Sequence, residues 1–302
     1  MKKILITGGA GFIGSHLAEK LSSLNYSVSL LDLPGRFSEY HKKKFSTHEV
    51  DIMNFFDLKK LPKFDIIYHL AAQVGTASSL KNVSHDLLCN SLGTLNIVEI
   101  ASLMKVEKLI FSSSMAVYGE NTNALETDLC NPLSPYGISK SCAENYIKYC
   151  QRINTTMQCV TFRIFNCYGP KQSTKNLTQG LASIFIEQIK SRANLKVTGR
   201  LDRQRDLIYI EDVVSALVLP IYNKEMRGVF NLCSGNSTLI HELIEMIIKI
   251  SKKSRERFSI ENVGGNSLDP HVATGNNQKL KKFGWLPKKD LESGLKICWE
   301  VK

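Results

Sequence analysis

Two rhythms of apolar and polar positions run along this chain. Short apolar runs occur at Ile4–Thr7, Val28–Leu31, a brief one near Val50, Ile66–His69, Leu109–Ser112 and Cys159–Arg163. Between them lie stretches with apolar residues at helical spacing, the longest being Asp86–Met104 and Tyr136–Ile153. Runs of this length bounded by turn residues predict strands, and a 3.6-residue period predicts helices. Their alternation predicts α/β architecture with a doubly wound parallel sheet of Rossmann type, since each parallel strand needs a crossover. Active groups in such a sheet gather outside the carboxyl ends of the strands. Beyond residue 170 the rhythm loosens into helix Gly180–Lys190, strand Val229–Leu232 and helix Leu239–Ile250, ending near Gly284-Trp285. The pattern therefore predicts a first domain over 1–170 and a smaller α/β substrate-binding cap over 171–302, with 205–222 packing back on the first.

The first strand runs into Gly8-Gly9-Ala10-Gly11-Phe12-Ile13-Gly14, and helical spacing resumes at once with Ser15 to Leu21. Strand, glycine loop and helix in that order form the setting in which early glycines allow a tight turn and close approach to a pyrophosphate, while the last allows helix and strand to pack closely. The helix N-terminus then offers unpaired N–H groups to the phosphates. Asp32 ends the second strand 21 residues past Gly11, close to the ~20 expected of a carboxylate that binds ribose hydroxyls. A carboxylate there repels a 2′-phosphate, which favours NAD over NADP, although Arg36 lies four residues on and an arginine can host that phosphate.

Composition narrows the classes. With 302 residues and 43% hydrophobic content, the chain is long enough for one large or two moderate domains. No apolar run is expected to span a membrane, and Met1-Lys2-Lys3 leads into the first strand without a signal pattern, so a cytoplasmic protein without membrane partner is expected. The eight cysteines form no Cys-x-x-Cys pair, and the seven histidines, His69 and His241 among them, show no ligand spacing. Reduced packed thiols and no metal are expected. A net charge of +11 is compatible with nucleic acid, but the lysines are dispersed and not interleaved with aromatics, so no nucleic-acid partner is expected.

The chemistry concentrates in Tyr136-Gly-Ile-Ser-Lys140, whose tyrosine and lysine lie four residues apart and so share a helix face. A cation ~4 Å from a partly buried phenol supplies ~4 kcal/mol at an effective dielectric of ~20, enough to lower the phenol's pKa by about three units, to near neutrality. Such a tyrosine takes a proton from an alcohol and returns it. Polar groups follow three strand ends: His69-Leu70-Ala71-Ala72-Gln73, Ser112-Ser113-Ser114 and Asn166-Cys167-Tyr168-Gly169-Pro170. In a parallel sheet these meet at the edge that carries the glycine loop, where a serine can orient a substrate alcohol toward Tyr136.

With these motifs the chain resembles the extended short-chain dehydrogenase/reductase family, in particular its NAD-dependent nucleotide-sugar epimerases and dehydratases. The likeness rests on Thr7 to Gly14, Asp32, Ala71-Ala72, Ser112-Ser113-Ser114, Tyr136 with Lys140, Phe165 to Pro170 and Arg205 to Asp212, and extends to Gly284-Trp285. It implies that Gly8, Gly11, Phe12, Ile13, Gly14 and Asp32 hold NAD, that Asp51-Ile52 flank the adenine, and that Ala71-Ala72 lie against the cofactor. It implies Tyr136 as acid/base, Lys140 as ribose ligand lowering the tyrosine's pKa, Ser114 as bridge between substrate and tyrosine, and Asn90 as brace. Asn166 and Arg205 would hold the nucleotide diphosphate; the plainer alternatives are a turn cap and an ion pair with Asp206. His271 stands about where the family often has a phosphate-binding arginine, Gly275 at a usual aspartate position, and Val272 at the position that narrows the sugar pocket.

Family dehydratases carry Asp-Glu after the active serine or threonine, whereas this chain has Met115-Ala116, with Glu120 beyond the strand end. Neither can protonate a leaving hydroxyl, which disfavours dehydration and decarboxylation. The reading is a UDP-hexose 4-epimerase acting through a transient 4-keto sugar, with N-acetylated forms open. The alternatives are a 4-ketoreductase, an epimerase on a CDP- or GDP-linked sugar, or a non-catalytic NAD- or RNA-binding protein. The resemblance also implies a homodimer joined through helices Asp86–Met104 and Tyr136–Ile153.

Overall fold

β1 (Lys3–Thr7), β2 (Ser27–Asp32), β3 (Ser46–Glu49), β4 (Ile66–His69), β5 (Lys108–Ser114), β6 (Gln158–Ile164) and β7 (Gly228–Leu232) form one parallel sheet in the order β7-β6-β5-β4-β1-β2-β3. The computed structural model describes residues 1–173, 180–191, 194–265 and 268–301. The strand order reverses between β1 and β4, so crossovers leave in opposite directions there and open a crevice at the strand ends. Period-two alternation sends neighbouring side chains to opposite faces. Ile4, Ile6, Leu30 and Tyr68 join one core, and Leu5, Leu31, Ile67 and Phe111 the other. All of β4 and β6 is buried, as expected of strands covered on both faces.

Helices Phe12–Ser23 and Ile210–Tyr222 pack together on one face. The other face carries Pro135–Ile153 beside a helical stretch, Val83–Met104, in which Leu88–Leu92 winds as a π turn. At 22 residues this stretch is long and apolar enough to cross a membrane by length and composition, contrary to the expectation from the sequence. Half of its most apolar window is buried inside the protein, and Asp86, Asn90 and Thr94 are buried polar groups within it. Val83, Leu87, Leu88, Leu92 and Leu103 stay exposed, as do Ile138, Tyr149 and Ile153 on the neighbouring helix.

The strand anticipated near Val50 ends at Glu49, and the Val50 N–H instead donates to the Asp32 carbonyl at 2.9 Å. A smaller sheet orders Thr238–Leu239, Gln204–Arg205, Val272–Gly275 and Asn121–Ala124. Segments cross the sequence boundary at 170 both ways: β7 completes the large sheet, while Asn121–Ala124 belongs to the small one. Gly275 is explained by packing, because a Cβ there would meet the Phe165 ring at 2.4 Å. An aspartate has no room at that position.

Candidate active site

The crevice at the reversal of strand order begins with the glycine loop. Gly8 has φ +70° and passes so close to the end of β4 that a Cβ would lie 2.7 Å from Ala71 N. A Cβ on Gly14 would fall 2.2 Å from the Gly8 carbonyl oxygen. Gly11 begins helix Phe12–Ser23 with no capping side chain and no acid in the first turn. That leaves the helix's positive end open to an anion. Asp32 accepts from Ala10 N at 3.0 Å and Leu33 N at 2.9 Å, joining the loop to the end of β2, and Arg36 Nε stands 3.9 Å from its carboxylate. A glycine cradle, an open helix N-terminus and a carboxylate at the second strand end fit the pyrophosphate and ribose of a dinucleotide.

Further along the crevice, Asp51 Oδ1 accepts from Met53 N at 2.9 Å and stays partly exposed. Ile52 is buried against Gly93, where an added Cβ would meet its Cδ1 at 2.6 Å. Ala71 N donates to Thr7 Oγ1 at 3.2 Å, and Ala72 is half-buried beside it. Asn90, on the π turn, pins the next loop from both sides: its Oδ1 accepts from Gln73 N at 2.9 Å and its Nδ2 donates to Gln73 O at 3.0 Å.

Ser114 ends β5, and its hydroxyl caps the turn Met115–Val117 by accepting from Ala116 N at 3.2 Å. The same hydroxyl bears on the Tyr136 phenol and pulls its pKa down. Ser134 caps the facing helix by accepting from Gly137 N at 3.2 Å, with Pro135 at its first position. Gly137 is the close approach that seats this helix, since a Cβ there would stand 2.4 Å from the Ala116 carbonyl oxygen. Lys140 is 2% exposed, and its Nζ lies 4.3 Å from the centre of the Phe111 ring.

This arrangement corrects the electrostatics anticipated for the pair. Burial pushes the Tyr136 phenol up to about 12, with the Ser114 hydrogen bond pulling down and Asp86 pushing up. Burial also lowers Lys140 to about 8. The lysine charge faces the Phe111 ring, and burial is the dominant cause at the phenol. The shared helix face is real; what differs is the desolvation of the half-buried phenol, which outweighs the attraction.

Two residues in this cluster were placed by the sequence, at a strand end and at a helix start, but their contacts were not signalled there. His69 is fully buried, with Nδ1 2.8 Å from Thr7 Oγ1 and Nε2 2.9 Å from Thr94 Oγ1. Thr94 donates its proton to the Asn90 carbonyl at 2.6 Å, so Nε2 of His69 carries the hydrogen. Burial, with the Lys140 charge adding to it, holds His69 neutral at about 3. Asp86 is fully buried and accepts from Ser139 Oγ at 2.5 Å.

At the substrate end the protein itself occupies the predicted ligands. Asn166 Nδ2 donates to Asp206 O at 3.0 Å and lies 3.6 Å from Met115 Sδ, close to the Ser114 turn. Arg205 does not pair with Asp206. Its Nη2 donates to Asp269 Oδ1 at 2.7 Å and Pro270 O at 2.8 Å, and its Nη1 to Gln204 O at 2.8 Å and His271 O at 3.2 Å. Asp206 turns instead to Ser234 and Gly235, and burial raises its carboxyl to about 6. Asp269 also pairs with Arg203. Glu120, remote in sequence, accepts from His271 N at 2.6 Å and Val272 N at 2.7 Å and fixes that strand. A cleft of about 310 Å³ is lined by Arg200, Arg203, Asp269 and His271, and a smaller one of about 50 Å³ by Met115, Ala116 and, again, Asp269. Among the described residues no group of His, Cys, Asp and Glu is arranged to hold a metal ion, and all eight cysteines are free thiols.

The profile of a family described as NAD dependent epimerase/dehydratase matches residues 4–233. A Methanocaldococcus jannaschii protein provisionally named a UDP-glucose 4-epimerase is 33% identical over 97% of this chain and 96% of its own. The Escherichia coli dTDP-4-dehydro-6-deoxyglucose reductase is 30% identical over 97% and 95%. The UDP-glucose 4-epimerase of Thermus thermophilus, solved with NAD, superposes with a TM-score of 0.90 at 28% identity, covering 99% of this chain and 98% of that one. The chain belongs to the NAD dependent epimerase/dehydratase family, whose cofactor, NAD, suits the glycine cradle and strand-end carboxylate of this crevice.

Proposed function

We propose that the protein is a nucleotide-sugar 4-epimerase that interconverts UDP-hexoses through a transient 4-keto sugar. One observation carries the reading: Ser114 bears on the Tyr136 phenol at the cofactor crevice, Lys140 lies buried one turn on, and the acid that shares the cleft with Met115 and Ala116, Asp269, is tied up by Arg203 and Arg205. Asp86, which bears on Tyr136, has no exposed surface to offer a substrate. The arrangement moves a proton on and off an alcohol and lacks the acid needed to expel a hydroxyl.

In this reading Ser114 orients the C4 hydroxyl and Tyr136 takes its proton, then returns it once the keto sugar has presented its other face. Lys140 stabilises the phenolate and binds the cofactor's ribose. Gly8, Gly11, Phe12, Ile13 and Gly14 carry the pyrophosphate, Asp32 a ribose, Asp51 the adenine edge, and Asn90 braces the loop at Gln73. NAD supplies the acceptor and donor of hydride. Arg205 and Asn166 serve the diphosphate after exchanging their present partners, with Arg203 and His271 at the far end of the cleft. Val272 sets the room beside the sugar, and a side chain of that size leaves N-acetylated hexoses as further substrates.

The test is purified protein with UDP-glucose or UDP-galactose and no added reductant, followed by NMR of the product. Interconversion is expected. Bound NAD with no turnover sinks the reading. Stoichiometric use of NAD(P)H on a 4-keto sugar would favour the second reading, a reductase, which the Escherichia coli relative supports.

We also propose a homodimer. The exposed Val83, Leu87, Leu88 and Leu92 lie beside the exposed Ile138, Tyr149 and Ile153, and a second copy would cover both helices in a four-helix interface.

A further inference from the structure

Asp86 sits in the first turn of its helix with no exposed surface. Its oxygens accept from Ser139 Oγ at 2.5 Å and from Asn90 Nδ2 at 3.2 Å. Both partners donate, so the ionised carboxylate is the form these contacts satisfy. Ser139 comes directly before Lys140 and three residues after Tyr136, so the helix that carries the proton-transfer pair is fastened to this carboxylate in its second turn. The same Asn90 amide reaches Ser139 Oγ at 3.0 Å and Gln73 O at 3.0 Å. A charge enclosed this way is little screened by solvent and acts on its neighbours over several ångströms.

We propose that Asp86 is a positioning residue for proton transfer, its buried carboxylate fastening the Tyr136–Lys140 helix through Ser139 and placing a negative charge against that pair. Its catalytic meaning rests on the epimerase reading above. A negative charge raises the proton affinity of an acid and of a base alike. At Tyr136, burial acts first, the Ser114 hydrogen bond opposes it, and Asp86 adds to it. At Lys140, burial lowers the pKa while Cys89, Glu144 and Asp86 raise it. The other titratable groups around Asp86 are His85 and Cys89 on its own helix and Lys140 and Tyr136 on the facing one, with the neutral His69 of β4 also near Lys140. Cys89 and Glu144 bear on the lysine; Asp86 bears on both members of the pair. It keeps Lys140 charged for the phenolate and in doing so makes the phenolate harder to form.

Asp86→Asn keeps the side chain's size and removes the charge. The phenolate absorbance of the NAD-loaded protein is titrated in wild type and variant, each corrected by the same protein carrying Tyr136→Phe, so that Tyr136 alone is read. The midpoint is expected to fall by about one pH unit, and both limbs of the kcat/KM profile to move to lower pH by a similar amount, the size of effect a buried unit charge has at an effective dielectric of ~20. Asp86→Glu keeps the charge and should keep the wild-type midpoint. An unmoved midpoint in Asp86→Asn overturns the proposal even if the rate drops, and so does an equal shift in Asp86→Glu. Asp86→Ser gives the same reading if the asparagine variant does not fold. Absence of any nucleotide-sugar turnover in wild type would refute the epimerase reading, while the phenolate titration would still decide the role of Asp86.

Discussion

His69 shows how much a single buried side chain can fix. It is held neutral at about 3 between two threonine hydroxyls, stacked 5.4 Å from Phe111, whose ring also meets Lys140. A histidine in the unfolded chain titrates near 6.5, so below that pH the unfolded state binds a proton that the folded state refuses. Its contribution is present in full above about 6.5 and is lost as pH falls toward about 3. Asp206 works the other way, because its carboxyl, raised to about 6, takes up a proton in the folded state first and returns stability between about 6 and the ordinary carboxylate range. Between pH 7 and 5, wild type should lose roughly 2 kcal/mol more than His69→Gln, in which an amide replaces the imidazole between Thr7 and Thr94. Denaturant melts at the two pH values measure the difference, and equal losses would refute it. Little of this is legible in the sequence. Ser114, Tyr136, Lys140 and the glycines announce themselves by local spacing and by the strand or helix that carries them. Asp86 and Ser139 are 53 residues apart, and nothing in either neighbourhood signals that they meet. The phenol's raised proton affinity was equally hidden, since spacing reports which groups share a face and not how much water is left around them.

At the scale of elements, the site depends on where the helix Pro135–Ile153 begins. Its start is set by the Ser134 cap and Pro135, and its height over β5 by Gly137, which passes the Ala116 carbonyl with no room for a side chain. Gly137→Ala must lift this helix start, and with it Tyr136, away from Ser114. A displacement of about 1 Å costs roughly 100-fold in turnover when the reacting groups are held rigidly. We expect kcat to fall by that order while NAD affinity, set mainly at the other end of the crevice, changes little; kinetics and an NAD titration check both halves. A Gly137→Ala enzyme with wild-type kcat would mean that the helix accommodates the methyl elsewhere. The sequence displayed this glycine between Tyr136 and Lys140 without its reason, which is the backbone of a turn 21 residues earlier. Six strands of the large sheet were legible to within two residues because their apolar runs are buried, whereas the third, Ser46–Glu49, has no fully buried position to mark it. The small sheet was not, since strands of two to four residues leave too short a pattern to read.

For the whole molecule, the exposed apolar stripe is the feature that a single copy leaves without a partner. If two copies meet there, Leu88→Lys with Tyr149→Lys should convert the protein to a monomer in sedimentation velocity, because each buried large apolar side chain is worth about 1.5–3 kcal/mol; an unchanged sedimentation coefficient would exclude that face. The substrate end was the least legible part. Arg205 and His271 were identified by position along the chain, but the company they keep, Asp269 and Glu120, is decided by how three distant segments come together. One last consequence comes from the π turn at Leu88–Leu92. A π turn holds one residue more than an α turn, and one residue is about 100° of rotation. The helix therefore runs as two clocks set to different hours. Asp86 and the outward Val83 and Leu87 keep the first, and Thr94, Asn96 and Ile97 of the core keep the second. Deleting any one residue between 88 and 92 would resynchronise them, swinging the carboxylate out from under the tyrosine and the outer stripe off its face in a single step. Apart from Asn90, this stretch should bear changes of letter more readily than any change of count.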